Sequence, residues 1–146
     1  MKAGFDYTGV TVSFFCHDGK GNFLLHKRSQ NCRDEQGAWD FGGGKLEFGE
    51  DFIDGVLREI REEYGLEAEI EEHLPAQNMV RQHNGQTTHW VSIGFIARID
   101  PLKVIIGDPE SMDELAWHQL DALPAPLHTG AAKRLKALGH IFEKYQ

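Results

Sequence analysis

The sequence predicts a mixed α/β fold, in which helices cover both faces of a mixed β-sheet. Two segments carry apolar residues at helical spacing, and several others are rich in β-branched and aromatic residues. These segments interleave without a strict strand–helix–strand repeat, so the sheet is expected to contain both parallel and antiparallel neighbours.

One domain is expected over residues 1–146, because this length supports one hydrophobic core and is too short for two. The chain is 40% hydrophobic and 10% aromatic, which is typical of a globular protein and excludes a disordered one. Its net charge of −8 argues against non-specific binding to nucleic acid or to an anionic membrane, since both require a basic surface.

The two cysteines, Cys16 and Cys32, are too few for a disulfide framework and lack CxxC spacing. No apolar run approaches the roughly 18 residues that span a bilayer, and the first residues, MKAGFDYTGV, lack the apolar core of a signal peptide. These features predict a cytoplasmic protein without membrane partners.

The first part of the chain is predicted to form strands. Residues 8–15 and 22–27 flank the sequence HDGKG, whose Asp-Gly pair is typical of a tight hairpin turn. Residues 38–41 form a short apolar piece that runs into three glycines at positions 42–44.

A helix is predicted over residues 51–64, with Gly65 as a left-handed cap. Its apolar stripe consists of Ile53, Val56, Leu57, Ile60 and Tyr64. The centre of this stripe lies about 120° from a second group made of three glutamates, so one side packs against a sheet while another presents carboxylates.

The rest of the chain alternates strands with a second helix. Strands are predicted, in chain order, over residues 67–72, 76–82, 88–99, 103–106 and 115–117, of which 88–99 has the clearest pattern. A second amphipathic helix is predicted over residues 129–145, with apolar positions at Ala132, Leu135, Leu138, Ile141 and Phe142.

The three glutamates on the first helix indicate a metal site. Glu59, Glu62 and Glu63 stand at i, i+3 and i+4, which brings their side chains to within about 5–6 Å of one another on a helix. Carboxylates this close raise one another's pKa unless a cation lies between them. Arg58 and Arg61 can supply part of that charge, but Mg²⁺ or Mn²⁺ suits oxygen ligands better and points to phosphate chemistry.

These residues belong to a longer pattern. Gly44, Glu50 and the sequence REIREEYGL at residues 58–66 resemble a complete Nudix box, G-x5-E-x7-R-E-U-x-E-E-x-G-U, where U is a bulky aliphatic residue. A chance match at a given start has a probability on the order of 10⁻⁸. The segments 24–28 and 117–124 also resemble MutT-like members, whereas Phe41 replaces a proline that many members carry before the glycines.

The resemblance implies an α/β/α sandwich and a hydrolase that cleaves a nucleoside diphosphate linked to another group X, with Mg²⁺ or Mn²⁺ as cofactor. Arg58 is then expected to orient a glutamate through paired hydrogen bonds. The implied metal ligands are Glu59, Glu62, Glu63, the backbone carbonyl of Gly43, and Glu50, which belongs either to the metal network or to the residues around it.

Two assignments stay open at this stage. The general base is either a box glutamate, with Glu59 preferred, or an acid of the sequence GDPESMDE, with Glu110 as the best of Asp108, Glu110, Asp113 and Glu114. Arg28 is a candidate for contacting substrate phosphate and Trp39 for stacking on a base, against the plainer readings of a surface arginine and a core tryptophan.

The box contacts neither the base nor X, so specificity is expected from the segments 29–37, 77–86 and 123–130. The glycines at 42–44 resemble the Gly-rich turn of MutT-like members. The sequence LEFGE that follows this turn favours nucleoside triphosphates, including oxidised ones, as the small-molecule partner. ADP-ribose or a nucleotide sugar is the alternative, and a non-catalytic nucleotide sensor is a third. A homodimer is compatible with the sequence but not indicated by it.

Overall fold

The computed structural model describes all residues, 1–146, as one mixed sheet with a helix on each face. The strands are β1 (Gly9–His17), β2 (Asn22–Arg28), β3 (Trp39–Asp40), β4 (Gly42–Lys45), β5 (Glu69–His73), β6 (Gln77–His83), β7 (Gln86–Arg98) and β8 (Met112–Gln119). The helices are α1 (Phe52–Tyr64) and α2 (Thr129–Phe142), and a 3₁₀ turn, Glu143–Tyr145, follows α2. None of its helices has the length and apolar character needed to cross a membrane.

The sheet is built around β1 and β7, which pair in parallel from Gly9↔Trp90 to His17↔Arg98. All other pairs are antiparallel: β2 and β4 lie against β1, β5 and β6 lie against β7, and β3 and β8 lie against β2. The order β4–β1–β7–β6 therefore gives a continuous surface across one part of the sheet. The predicted mixed sheet is confirmed.

Two hydrophobic clusters lie on opposite faces of this sheet, because successive side chains of a strand point to opposite faces. On β1, Phe14 joins the cluster under α1, which includes Ile60 and Tyr64. The next residue, Phe15, joins the cluster under α2, which includes Phe142. The prediction of a helix on each face is confirmed.

Both ends of α1 follow from local chemistry. The Asp51 side chain accepts a hydrogen bond from the backbone N–H of Ile53 at 3.0 Å, which satisfies one free donor of the first turn. Gly65 adopts φ 72° and donates its N–H to the carbonyl of Arg61, as predicted for a left-handed cap. The helix thus begins and ends within one residue of its predicted limits.

Several predicted elements need correction. Residues 103–106 form no strand, and the glycines at 42–44 belong to strand β4, in which Gly43 pairs with Ser13. Pairing along β1 makes this segment extended where its composition suggested a turn. The last helix ends at Phe142, and its buried stripe includes Ala131 and Leu138, whereas Ala132 is exposed.

Candidate active site

Arg58, in the middle of α1, holds carboxylates from the helix and from the loop before it. Its Nε and Nη2 donate to the two carboxylate oxygens of Glu50 at 2.7 and 2.8 Å, and its Nη1 donates to Glu59 Oε1 at 2.9 Å. This paired contact holds the pKa of Glu50 down at about 2 and raises that of Arg58 above its ordinary value. Arg58 thus holds Glu59 against the β4 backbone. Its orienting role in catalysis stays a prediction.

The three helix glutamates differ in environment. Glu63 is buried at 8% exposure, while Glu62 is exposed and its carboxylate lies 3.4 Å from Arg58 Nη1. Burial raises the pKa of Glu63 well above its usual range; the charge of Glu59 adds to this, and the Gly43 N–H offsets part of it. Burial also raises the pKa of Glu59, against the opposing effect of Arg58.

The donor set fits a divalent cation. Glu63 Oε2 is buried without a hydrogen-bond partner, which is costly for a carboxylate oxygen. It stands beside a second carboxylate, Glu59, whose pKa is also raised. A hard cation with oxygen ligands would satisfy the unpaired oxygen and favour the charged form of both groups.

Gly44 brings the β4 backbone directly against Glu59. A Cβ atom at position 44 would lie 2.2 Å from the Glu59 carboxylate carbon, so only glycine leaves room for the carboxylate in its present place. This contact explains why a glycine begins the motif: it shapes the space that the glutamate occupies.

A cleft of about 960 Å³ runs from these glutamates across the sheet surface to α2. At its first end lie Glu59, Glu62, Glu63 and β4, and at its second end lie residues of β6, β7 and α2. The residues of the second end are Met79, Arg81, Thr88, Trp90, Ser92, Gly130, Ala131 and Arg134.

Of the two residues predicted to contact substrate, one lines the cleft and the other does not. Arg28 lines the cleft and donates from Nη2 to Asp34 Oδ1 at 3.0 Å, with Asp40 Oδ2 3.7 Å from its Nη1. Trp39 does not line the cleft; its ring packs edge-on against His118, with centroids 5.9 Å apart. This contact fits the plainer reading of Trp39 as a packing residue, and base stacking by Trp39 stays a prediction.

The acids of the loop GDPESMDE differ in whether they line the cleft. The side chain of Glu110 is exposed and does not line the cleft, whereas its backbone carbonyl accepts hydrogen bonds from Ser29 and, at 3.0 Å, from Asn31 Nδ2. Asp108 does line the cleft, and its charge contributes to the raised pKa of Glu63. Among the four loop acids considered, Asp108 is the one that the chain brings to the glutamates.

A second group of charged residues lies along the cleft, near the start of α2. Glu35 Oε2 lies 2.8 Å from Arg81 Nη2 and 2.9 Å from His128 Nε2, and Glu35 Oε1 accepts from the backbone N–H of Thr129 at 3.0 Å. Asp34, Glu35 and His128 are close enough to share a metal ion, but Arg81 already contacts both acids. We call Asp34, Glu35, Arg81 and His128 the loop clamp, since it ties residues 29–37 to β6 and α2.

Sequence reasoning missed three groups in the cleft: His26, Asp40 and Arg134. Arg134 occupies the buried stripe of α2 between Ala131 and Leu138. A charged residue at a buried helical position was the available signal, and the misplaced apolar stripe of α2 concealed it. His26 and Asp40 face each other across β2 and β3, which no local pattern indicates.

Comparison with known proteins agrees with this geometry. The chain is 29% identical over 123 residues to the 8-oxo-dGDP phosphatase NUDT18 of Homo sapiens, which covers 81% of this chain and 34% of that protein. It is 36% identical over 80 residues to the CTP pyrophosphohydrolase of Escherichia coli K12, covering 55% and 56% of the two chains. It thus spans between about a third and just over half the length of these curated relatives.

A solved structure gives the more complete match. The MutT NUDIX hydrolase from Burkholderia pseudomallei superposes with a TM-score of 0.78 at 29% identity, over 90% of this chain and 98% of that one. The sequence pattern of the NUDIX domain matches residues 7–138, which include all of the site described above. The chain belongs to the NUDIX domain family.

Proposed function

We propose that this protein is a divalent-metal-dependent pyrophosphohydrolase that cleaves a phosphoanhydride bond in a nucleoside diphosphate-X substrate. The observation that carries the proposal is the pair Glu59 and Glu63, both with raised pKa, at one end of a nucleotide-sized cleft. Ligand sites of this kind have volumes of about 300–1,000 Å³. The family membership and the hydrolases named among its relatives support the same assignment.

The proposed metal ligands are Glu59, Glu62, Glu63 and the carbonyl of Gly43, with Glu50 held beside them by Arg58. When bound, Mg²⁺ or Mn²⁺ lowers the pKa of a coordinated water and offsets negative charge on phosphate oxygens. Arg58 keeps Glu59 in place through its hydrogen bond, and it keeps Glu50 ionised. The exposed Glu62 can turn toward a ligand without disturbing the core.

Glu59 is our choice for the general base, since Arg58 holds its carboxylate in a fixed position in the cleft. If a loop acid serves instead, the structure favours Asp108 over Glu110, because only Asp108 lines the cleft. Arg28 is positioned to contact a phosphate from the wall formed by β2.

Nucleoside triphosphates, including oxidised ones, are the substrates we propose. Two of the relatives named above act on 8-oxo-dGDP and CTP according to their names, and both are nucleotides with phosphoanhydride bonds. The cleft continues from the glutamates to a mixed apolar and polar surface at α2, which suits a base better than a second charged group.

Substitution of Glu63 by Gln tests the function. We expect kcat/KM to fall at least about 100-fold on every nucleotide hydrolysed with Mg²⁺, because loss of residues that merely support metal ligands already costs about 10–100-fold. The measurement is pyrophosphate or phosphate release across a panel of nucleoside triphosphates, ADP-ribose and nucleotide sugars. Mn²⁺ affinity, followed by electron paramagnetic resonance, should fall in parallel.

Glu67→Gln is the matched control, since this exposed glutamate pairs with Arg61 outside the cleft. It should leave both rate and metal affinity unchanged. Unaltered turnover in Glu63→Gln would contradict the proposal. A wild-type protein that binds a nucleotide tightly yet never hydrolyses one would favour a sensor.

A further inference from the structure

Arg134 is a buried cation without an anionic partner. Its side chain projects from α2 to the sheet, where Nη1 and Nη2 donate to the hydroxyls of Ser13 on β1 and Ser92 on β7. The residue is 5% exposed, and no carboxylate lies within 4.0 Å of its guanidinium. Burial lowers the pKa of Arg134 to about 10, with only the charge of Asp40 acting in the opposite direction.

A buried guanidinium without an acidic partner is costly unless another group, such as a ligand, binds to it. Buried arginines are normally paired with acids, and an apolar residue of similar volume is often more stabilising than an isolated charge. The core cluster beneath α2 is otherwise apolar, so packing alone gives no reason for an arginine at this place. The side chain does line the cleft, where a ligand can reach it.

The surface around Arg134 consists of hydrogen-bond donors. A guanidinium has five N–H bonds; two are used by the serines, and no protein acceptor is found for the other three. Ser13 and Ser92 accept from Arg134, and their oxygens lie 3.3 Å apart, so at most one hydroxyl proton is taken up between them. Ligand groups that accept hydrogen bonds therefore match this surface best.

The walls beside these donors are apolar and aromatic. Phe15 lies under the guanidinium at 5.5 Å, and Met79, Trp90 and Ala131 also line this end of the cleft. A fully hydrated phosphate gains nothing from such walls, whereas a flat heterocycle with a carbonyl on its edge matches both the walls and the donors.

The donor surface around Arg134 is also within reach of a nucleotide bound at the glutamates. Ser13 pairs directly with Gly43 across β1 and β4, so the donor surface lies in the same cleft as the carboxylates, on the neighbouring strands. A nucleotide whose phosphates lie at Glu59 and Glu63 can therefore extend its base along the sheet toward Arg134.

We propose that Arg134 binds the 6-oxo edge of a purine base and makes the enzyme prefer guanine-type nucleotides over adenine nucleotides. The inference rests on the proposed function, of which it specifies the substrate class. Guanine and its 8-oxo form present a carbonyl at position 6, to which arginine donates readily. Adenine presents an amino group there, so its N–H bonds face those of Arg134 and both sets lose their acceptors.

The wild-type protein provides the first test, with four deoxynucleoside triphosphates as probes. Guanine and hypoxanthine keep the 6-oxo group, 2-aminopurine lacks it, and adenine replaces it by an amino group. We expect kcat/KM for the first two to exceed that for the last two by at least about tenfold. Equal values across the four would overturn the proposal.

Arg134→Met is the decisive variant, because methionine keeps an apolar stem over Phe15 and removes every donor. The ratio of kcat/KM for dGTP to that for dATP should fall at least about tenfold toward one. This ratio does not depend on the folded fraction, so partial destabilisation cannot mimic the effect. Lys136→Gln, at an exposed position of the same helix outside the cleft, should leave the ratio unchanged.

A uniform rise in KM for all nucleotides, with the ratio retained, would show that Arg134 contacts phosphate and would overturn the base assignment. Binding of dGMP and dAMP, measured by titration calorimetry without metal, separates this inference from the proposed function. If hydrolysis is absent but wild type prefers dGMP and Arg134→Met does not, the base assignment stands and the hydrolase proposal fails. If hydrolysis is strong and neither protein discriminates, the base assignment fails alone.

Discussion

The two ends of the cleft have opposite electrostatic character. At the α1 end, Glu59 and Glu63 form an excess of acceptors with one buried oxygen unpaired. At the α2 end, Arg134 and two serines form an excess of donors, and no carboxylate lies within 4.0 Å of the guanidinium. Each end is incomplete alone, and the difference between them fits the proposed substrate, with metal-bound phosphates at one end and acceptor atoms at the other.

The two ends also differ in how they are held. Arg58 fixes the acidic end through contacts within one helix and the loop that precedes it. The donor end depends on α2, which the loop clamp ties to residues 29–37 through Glu35. Changes at the acidic end should therefore alter chemistry, while changes near the donor end should alter the opening of the cleft and the choice of substrate.

Gly44→Ala should have the largest effect and tests the acidic end. The new Cβ would meet the Glu59 carboxylate, which can move only by leaving its present place. A displacement of about 1 Å in a catalytic group can cost about 100-fold in rate. We expect a loss of that size in kcat/KM, with the free energy of unfolding lowered by less than about 1 kcal/mol, since the displaced atoms end a flexible side chain.

Gly42→Ala is the contrasting variant on the same strand. Its Cβ would lie 2.0 Å from the ring of Phe14, which is fully buried and cannot move aside. Overpacking of this kind costs about 1–3 kcal/mol, so urea unfolding should show the loss that Gly44→Ala does not. Equal destabilisation by the two alanines would refute the view that Gly44 serves the site and Gly42 the core.

His26 lies between the two ends and should make stability depend on pH. Burial lowers the pKa of His26 to about 4; Arg28 and His128 add to this, and Asp108 opposes it. Because the unfolded chain binds a proton at His26 below about pH 6.5 and the folded chain does not until about pH 4, stability is lost as pH falls through this window. We expect a loss of about 2 kcal/mol between pH 7 and pH 5 from this residue.

The comparison of wild type with His26→Gln isolates that contribution, since all other titrating groups are common to both. Denaturant unfolding at several pH values should show that the stability of wild type relative to the variant falls by about 2 kcal/mol between pH 7 and pH 5. Parallel curves would mean that His26 has the same pKa in the folded and the unfolded chain, which would contradict the lowering of its pKa by burial.

Glu35→Gln should have the smallest effect and tests the loop clamp. The change removes the charge that faces Arg81 and His128 at the mouth of the cleft. Partly exposed ion pairs contribute up to about 1 kcal/mol, so global stability should fall by no more than that. Hydrogen exchange of residues 29–37 should increase clearly, because the contacts from Glu35 to Arg81 and α2 weaken.

Glu69→Gln is the control for this variant, since Glu69 is exposed and makes no ion pair. It should leave exchange in the 29–37 segment unaltered. If Glu35→Gln also leaves that exchange unaltered, the clamp does not hold the loop, and other contacts of the segment, such as that of Arg28 with Asp34, must do so.

The sequence by itself determined the acidic end. The spacing of Glu59, Glu62 and Glu63, the N-cap at Asp51 and the left-handed Gly65 are all local features. Helical geometry relates residues three or four positions apart in a fixed way, so their shared face can be read without the rest of the fold. The preceding Gly44 and Glu50 lie before the helix, and only the resemblance to the Nudix box added them to the motif.

Only the tertiary structure decided the donor end. Arg134 meets Ser13 and Ser92, which are 121 and 42 positions away, and sheet pairing brings Gly43 opposite Ser13. The tertiary structure also places Asp108 in the cleft and Glu110 outside it, and it packs Trp39 against His118 instead of in the cleft. These outcomes depend on strand order and on the register between distant segments, and no spacing along the chain specifies either of them.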